Sequence, residues 1–256
     1  MADDRFVPEE LLLNSIPARQ TVLLHGWAVR LNAGYTYRAN CVCPLCWDAA
    51  EDVPQKITQC EELFRRQGMS AVFKVTPLLQ DGFAEILTRM GYETIKTVNV
   101  MTGRVPESIP PSAPCFVCRG RPDEAWLAAS AGLSGISDEK LLSVRREGMR
   151  NIPVRGFFAR SEMDGKTVGC AYGTEERGFV GIYDLHVAPE YRRRGIGTAV
   201  CNAILAFGRR NGAHTAYLIV HSRNRNAIAL YERMGFRKSY EYSFFGKPGG
   251  TGITDA

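Results

Sequence analysis

Residues 104–115 read RVPESIPPSAPC, and the four prolines in these twelve residues limit any fold this chain can take. Proline gives no backbone N–H to a helix or a central strand, so no regular element runs through this stretch. It reads as a semi-rigid linker over 106–114, with one domain over 1–105 and another over 115–256. Each half is long enough to bury a core. Apolar residues make up 45% of the 256 and charged residues 23%, a globular balance that excludes a disordered chain or a fibrous repeat. No run approaches the ~18 apolar residues that a membrane span needs. The acidic start MADDRFVPEE has no signal-peptide core. The expected location is the cytoplasm, with no membrane partner and a monomer or homodimer as the working state.

The net charge of +5 is mild, but arginines gather at 192–194 and recur at 209, 210, 223, 225, 233 and 237. Such a patch suits a small polyanion as well as a polymer. Aromatics are not interleaved with it as a base-stacking platform requires, so no nucleic acid is expected. Eight cysteines include Cys41, Cys43 and Cys46, then Cys115 and Cys118, at metal-like local spacing. The surrounding sequence reads as strands, and buried, reduced thiols with no metal are expected.

Periodicity and turn residues place a helix over 9–14 and a hairpin from 21–31 and 35–45 about a turn at 32–34. A helix over 52–68, a strand over 70–76, a helix over 82–90 and a strand over 92–102 complete the first half. The second half opens on a helical region over 122–150. Strands follow over 154–161, 167–174 and 179–187, then a helix over 196–211, a strand over 215–221, a helix over 226–234 and a strand over 236–245. The two halves end alike, with Leu87-Thr-Arg-Met-Gly91-Tyr against Tyr231-Glu-Arg-Met-Gly235-Phe, which favours related copies.

The stretch 180–198, VGIYDLHVAPEYRRRGIGT, carries the chemistry. A strand ends at Pro189, a basic loop follows, and Gly195 and Gly197 open a helix. The first turn of a helix has unpaired N–H groups and a partial positive charge, and glycine lets a ligand approach the backbone closely. Such a turn cradles a pyrophosphate, and the arginines add charge. The spacing fits neither the Walker loop nor Gly-x-Gly-x-x-Gly. Further on, Asn224, Ala227, Ile228 and Tyr231 share one side of a helix by their spacings of three, four and seven.

Leu185-x-Val187-x-Pro189, Arg192-x-x-Gly195-x-Gly197 and Asn224-x-x-Ala227-x-x-Leu230-Tyr231-x-x-x-Gly235-Phe236, in this order, resemble the acyl-CoA site of the GNAT superfamily of N-acetyltransferases. The resemblance covers 154–245. It implies an α/β fold with a mixed, largely antiparallel sheet flanked by helices, whose strands over 179–187 and 215–221 splay apart. It also implies acetyl-CoA as co-substrate. Carried over by position, the backbone of Arg193, Arg194, Gly195, Ile196, Gly197 and Thr198 would hold the pyrophosphate, with Arg192 beside it. The pantetheine arm would pair with Leu185, His186 and Val187 and meet Asn224 and Ala227. Tyr231 would protonate, or hydrogen-bond, the departing thiolate. Without the resemblance, Tyr231 reads as a core aromatic and Asn224 or Asn226 as a helix N-cap.

The implied reaction is attack of a primary amine on the thioester, the acceptor being a small molecule or a protein amino terminus. The amine must be neutral. At pH 7 a lysine amine is neutral about once in ~2500 molecules and an α-amine about a tenth of the time, so a lysine needs a well-placed base. Two positions where relatives carry a glutamate hold Tyr183 and Ile219 here. Asp184, His186 and His221 remain as candidates. Asp184 is preferred as the catalytic base, against the plain reading of a satisfied structural carboxylate; regular alternation puts it opposite Tyr183 unless a bulge intervenes. The missing carboxylates also leave open a catalytically silent acyl-CoA sensor. The first half resembles a degenerate GNAT copy, with Trp27, Arg30, Arg38 and Asn40 facing either the acceptor or the hairpin's own packing. It has no glycine loop, since Val75-Thr76-Pro77 runs into Leu78-Leu79-Gln80.

Overall fold

The computed structural model describes residues 7–45, 52–77, 79, 82–109 and 115–254. In chain order the elements are α1 (Val7–Ser15), β1 (Gln20–Leu24), β2 (Trp27–Leu31), β3 (Val42–Pro44), α2 (Val53–Arg65), β4 (Val72–Val75), α3 (Phe83–Arg89), β5 (Glu93–Arg104), β6 (Cys115–Arg119), α4 (Glu124–Ser134), α5 (Glu139–Arg150), β7 (Arg155–Met163), β8 (Lys166–Glu176), β9 (Phe179–Val187), α6 (Ile196–Arg210), β10 (Thr215–His221), α7 (Arg225–Arg233) and β11 (Arg237–Gly246). The chain forms two compact units that interleave in sequence. One unites 1–15 with 100–239, the other 16–99 with 240–256. The expected division at the prolines is sequential instead, and the part of that linker over 110–114 lies outside the described residues.

In the first unit the strands lie in the order β5-β10-β9-β8-β7-β6, β5 belonging to it only from Val100 onward. β6 to β9 form an antiparallel meander, and β10 joins β9 in parallel. In the second unit the order is β1-β2-β3-β4-β11, with β3 and β4 parallel and the other pairs antiparallel. In each unit the strand pairing is mixed and largely antiparallel, as expected. α1 joins the first unit through its last turn: Ser15 Oγ lies 2.7 Å from Thr174 Oγ1, and Asn14 Nδ2 donates to both oxygens of Glu176 at 3.0 Å.

The run 35–45 keeps a strand only at β3, after a single 3-10 turn over Tyr37–Ala39; two further elements differ from the sequence reading, each for a local reason. The run 21–31 is not one strand but a hairpin of β1 and β2, because His25 and Gly26 turn the chain at φ 46° and 80°. Both signs are those of a tight two-residue turn. The helical region 122–150 is two helices, parted at Gly135 with φ 73°. Each starts on an aspartate: Asp123 accepts from Trp126 N at 2.7 Å, and Asp138 from Lys140 N at 2.8 Å. These caps hold otherwise unpaired N–H groups.

The sequence echo has the same structure at both sites. Tyr92 N donates to Leu87 O and Gly91 N to Thr88 O, both at 3.0 Å; Phe236 N donates to Tyr231 O and Gly235 N to Glu232 O, also at 3.0 Å. Both are helix ends closed by a left-handed glycine, with φ 83° at Gly91 and 90° at Gly235.

The core of the first unit packs Val180, Ile182, Ile196, Val200, Ile204 and Leu218 between the sheet and α6. The helix comes so close to β8 that a Cβ at Gly173 would stand 2.3 Å from Ile204 Cγ2 and 2.8 Å from the Gly181 carbonyl oxygen. On α4, the Trp126 indole N–H donates to both Ala159 O at 3.0 Å and Ala171 O at 3.1 Å, tying β7 to β8. Gly173→Ala should therefore overpack this layer and lower stability by about 1–3 kcal/mol. Urea unfolding measures this, and an unchanged midpoint would contradict the packing described.

Candidate active site

The site starts from a break in pairing. β9 and β10 pair from Phe179 with Thr215 to Ile182 with Leu218, although β9 continues to Val187 and β10 to His221. β9 stays paired with β8 as far as Val187. Its far end thus keeps one ladder and opens the other. This is the splay expected for 179–187 and 215–221.

Within the same stretch the β8–β9 register shifts. Tyr183 faces Tyr172 and His186 faces Cys170, so Asp184 and Leu185 together oppose Ala171. Two residues against one is a bulge. Directly opposed residues of an antiparallel pair share a face, and Tyr172 and Cys170 are two apart. Tyr183 and His186, three apart, therefore lie on the same face. The bulge resets the alternation, and regular spacing fails as a guide to Asp184. Asp184 itself has φ 49°, a left-handed conformation that costs an L-residue about 1–2 kcal/mol and is tolerated best by Gly, Asn and Asp.

Past the bulge a cleft of about 660 Å³ opens. Leu185, His186 and Val187 line one side, and Asn224, Ala227 and Leu230 the other. Its end is the start of α6: Arg192, Arg193, Gly195, Ile196, Gly197 and Thr198 line it. Gly195 precedes the helix at φ 80°, and no side chain caps it. Ala199 N makes the first helical bond, to Gly195 O at 3.0 Å, so the preceding amides of that turn have no helical acceptor. Arg193, at φ 63°, adds a second left-handed residue to the loop. Arg192 Nε donates to Val187 O at 3.2 Å, tying the loop to β9. Asn224 caps α7, its Oδ1 accepting from Ala227 N at 3.1 Å; its amide N–H groups can still serve a ligand, so capping and binding are compatible.

The cleft thus gathers most of the residues singled out from sequence. Arg194, whose guanidinium lies 5.2 Å from the Tyr191 ring centre, is not in its lining, nor are Tyr231 and Asp184. Tyr231 is 7% exposed and belongs to the core beneath. Burial above all, then Cys201 and Asp184, push its phenol far above the usual tyrosine range, so the hydroxyl keeps its proton. Asp184 Oδ2 lies 3.3 Å from Arg145 Nη2, their side chains 15% and 2% exposed. Arg145 Nη2 also reaches Ser130 Oγ at 2.5 Å. The preferred base is therefore committed to a buried cation. His221 Nδ1 accepts from Arg223 N at 3.0 Å, within the turn before α7.

Arg145 was not singled out from sequence; of the other lining residues, Leu230 and Arg233 entered only as a motif position and as part of the arginine patch, and Leu133 only within the helical region 122–150. Arg145 had a signal: with Leu142 and Met149 it forms the buried stripe of α5, where an arginine is out of place. In the second unit, the residues proposed to face an acceptor serve their own fold. The Trp27 ring meets Phe83 edge-on at 5.6 Å. Arg30 donates to the carbonyl oxygens of Arg38, at 2.6 Å, and of Ile16. Asn40 accepts from Asn32 N at 2.7 Å and donates to Tyr35 O at 2.7 Å. Cys41 and Cys43 are buried with their sulfurs 3.5 Å apart; Cys46 lies outside the described residues. No group of three metal-ligating side chains occurs among the described residues, and no helix there is long and apolar enough to cross a membrane.

Comparison with known proteins agrees with this geometry. Residues 9–245 match the family model described as "Probable histone acetyltransferase Rv0428c C-terminal". An uncharacterized N-acetyltransferase of Bacillus subtilis (strain 168), YobR, is 28% identical over 250 residues, covering 94% of this chain and 98% of that one. The fold is shared with a GCN5-related N-acetyltransferase from Kribbella flavida, at TM-score 0.71 and 17% identity over 98% and 97% of the two chains. It is shared too with a tandem GNAT protein from the clavulanic acid biosynthesis pathway, at TM-score 0.63 and 15% identity over 100% and 97%. The chain belongs to the Rv0428c C-terminal family and is a GNAT-type N-acetyltransferase.

Proposed function

We propose that the cleft of the first unit takes acetyl-CoA and that the chain moves its acetyl group to a primary amine by direct attack on the thioester. The observation that carries this reading is the uncapped start of α6, with its free amides and flanking arginines, at the end of a cleft whose wall is the unpaired edge of β9. The donor set suits a diphosphate: amide N–H groups, a helix dipole and guanidinium groups favour anionic oxygens. The space at Gly197 fits as well. A Cβ there would project to 3.4 Å from Leu230 Cδ2 and 3.6 Å from Leu185 Cδ2, into the passage the arm must use.

Acetyl-CoA supplies an activated acyl carbon and a thiolate leaving group. The chain's part is to orient it and manage protons. The amine nitrogen bonds to the carbonyl carbon as the carbon–sulfur bond breaks. The proton released by nitrogen balances the one taken up by sulfur. Tyr231, kept neutral by burial in the core beneath the cleft, is in this reading the hydrogen-bond donor that the sulfur meets where the arm reaches down to the core. Asp184 is held by Arg145, and the site is better matched to an amine already partly neutral at pH 7, such as an α-amino group. That class includes both small-molecule amines and protein amino termini.

Calorimetry with CoA, followed by thiol release from acetyl-CoA over a panel of α-amines and lysine amines, tests the reading. Saturable heat with turnover on α-amines is expected. Binding without turnover on any amine would mark a sensor instead. Gly197→Glu should weaken CoA by at least about a hundredfold, since it sets an uncompensated negative charge against the diphosphate; wild-type affinity would refute the assigned cradle. Tyr231→Phe should lower kcat by about a hundredfold with CoA affinity kept, and an unaltered kcat would remove the phenol from the reaction.

A further inference from the structure

The bulge in β9 is placed where regular pairing would otherwise continue, and its first residue is strained. Asp184 holds a left-handed φ of 49° without being glycine. Its carboxylate is anchored from outside the sheet by Arg145 of α5, which is anchored in turn on Ser130 of α4. Ser130 is fully buried and Arg145 nearly so. Opposite the bulge, Ala171 is fixed by the Trp126 indole. The neighbouring group on β8 is Cys170, whose thiol burial pushes up to about 11, so it stays neutral and does not compete for the guanidinium. The residues next along β9, Leu185 to Val187, are the ones lining the cleft.

We propose that Arg145 is a positioning residue for the co-substrate: through Asp184 it locks the β9 bulge and so fixes the direction in which the backbone of 185–187 meets the pantetheine arm. Asp184 is in this account the anchor of the bulge and not the base. The inference rests on the reading of the cleft as an acyl-CoA site. It predicts that co-substrate affinity depends on whether residue 184 can hold a left-handed conformation and on whether something holds it there.

Two charge-free double variants isolate the conformation. In Arg145→Met/Asp184→Gly, glycine takes the left-handed angle freely; in Arg145→Met/Asp184→Ala it is disfavoured. Each removes the guanidinium and the carboxylate of this pair together. By calorimetry the alanine double variant should bind CoA about tenfold more weakly than the glycine one. In steady state the loss should fall on KM for acetyl-CoA and not on KM for the acceptor. The single variant Arg145→Met should bind more weakly than the glycine double variant, because it takes the guanidinium away from the Asp184 carboxylate, and Arg145→Lys should recover part of the loss. Thermal melts check that each variant is folded. If Arg145→Met does not fold, the comparison of the two double variants decides alone. Equal CoA affinity in those two variants would overturn the proposal. Absence of heat from the wild-type chain would instead overturn the acyl-CoA reading on which it rests.

Discussion

One two-for-one step in the β8–β9 ladder governs the first unit. Because Asp184 and Leu185 share the place opposite Ala171, the strand bends and its last residues cannot keep both neighbours. β8 retains them and β10 does not. A sheet edge buried inside a domain would ordinarily be a defect, since unpaired amides and carbonyls demand partners. Here that edge, whose Val187 carbonyl accepts from Arg192 Nε, borders a cleft that ends on the uncapped start of α6, so backbone groups of two elements converge on one space. The site is built as much from what the backbone leaves unpaired as from side chains.

That construction explains which parts of the site were legible in the sequence. Gly195, Gly197, Asn224 and Ala227 line the cleft through backbone position or helix spacing, and local sequence fixes both. The glycine-closed helix ends at Gly91 and Gly235 were readable for the same reason. Local rules failed where a single residue changes the count. His25 and Gly26 split an apparent strand, Gly135 split an apparent helix, and the bulge moved Asp184 relative to Tyr183. The Arg145–Asp184 pair joins residues 39 apart in sequence, and no spacing rule links them. Only the oddity of an arginine in a buried stripe hinted at it.

The division of the chain was harder to read. Four prolines mark a place where no element can run, yet they do not mark where one compact unit ends. The expectation assumed that units follow one another along the chain. The compact units follow contacts instead: the partners of Ser15 and Asn14, Thr174 and Glu176, lie far along the sequence, and nothing in the helix 7–15 announces them.

The interleaving bears on how the molecule is made. A ribosome delivers α1 long before β8 exists, so the surface that receives Ser15 appears only after more than half of the chain has emerged. The second unit waits longer, since it needs residues from 240 onward. Neither unit can reach its final packing early in synthesis, and α1, with Leu11 and Leu12 to bury, must bide its time in the meantime. Such a chain trades the usual domain-by-domain order of vectorial folding for a late, nearly simultaneous closure of both parts.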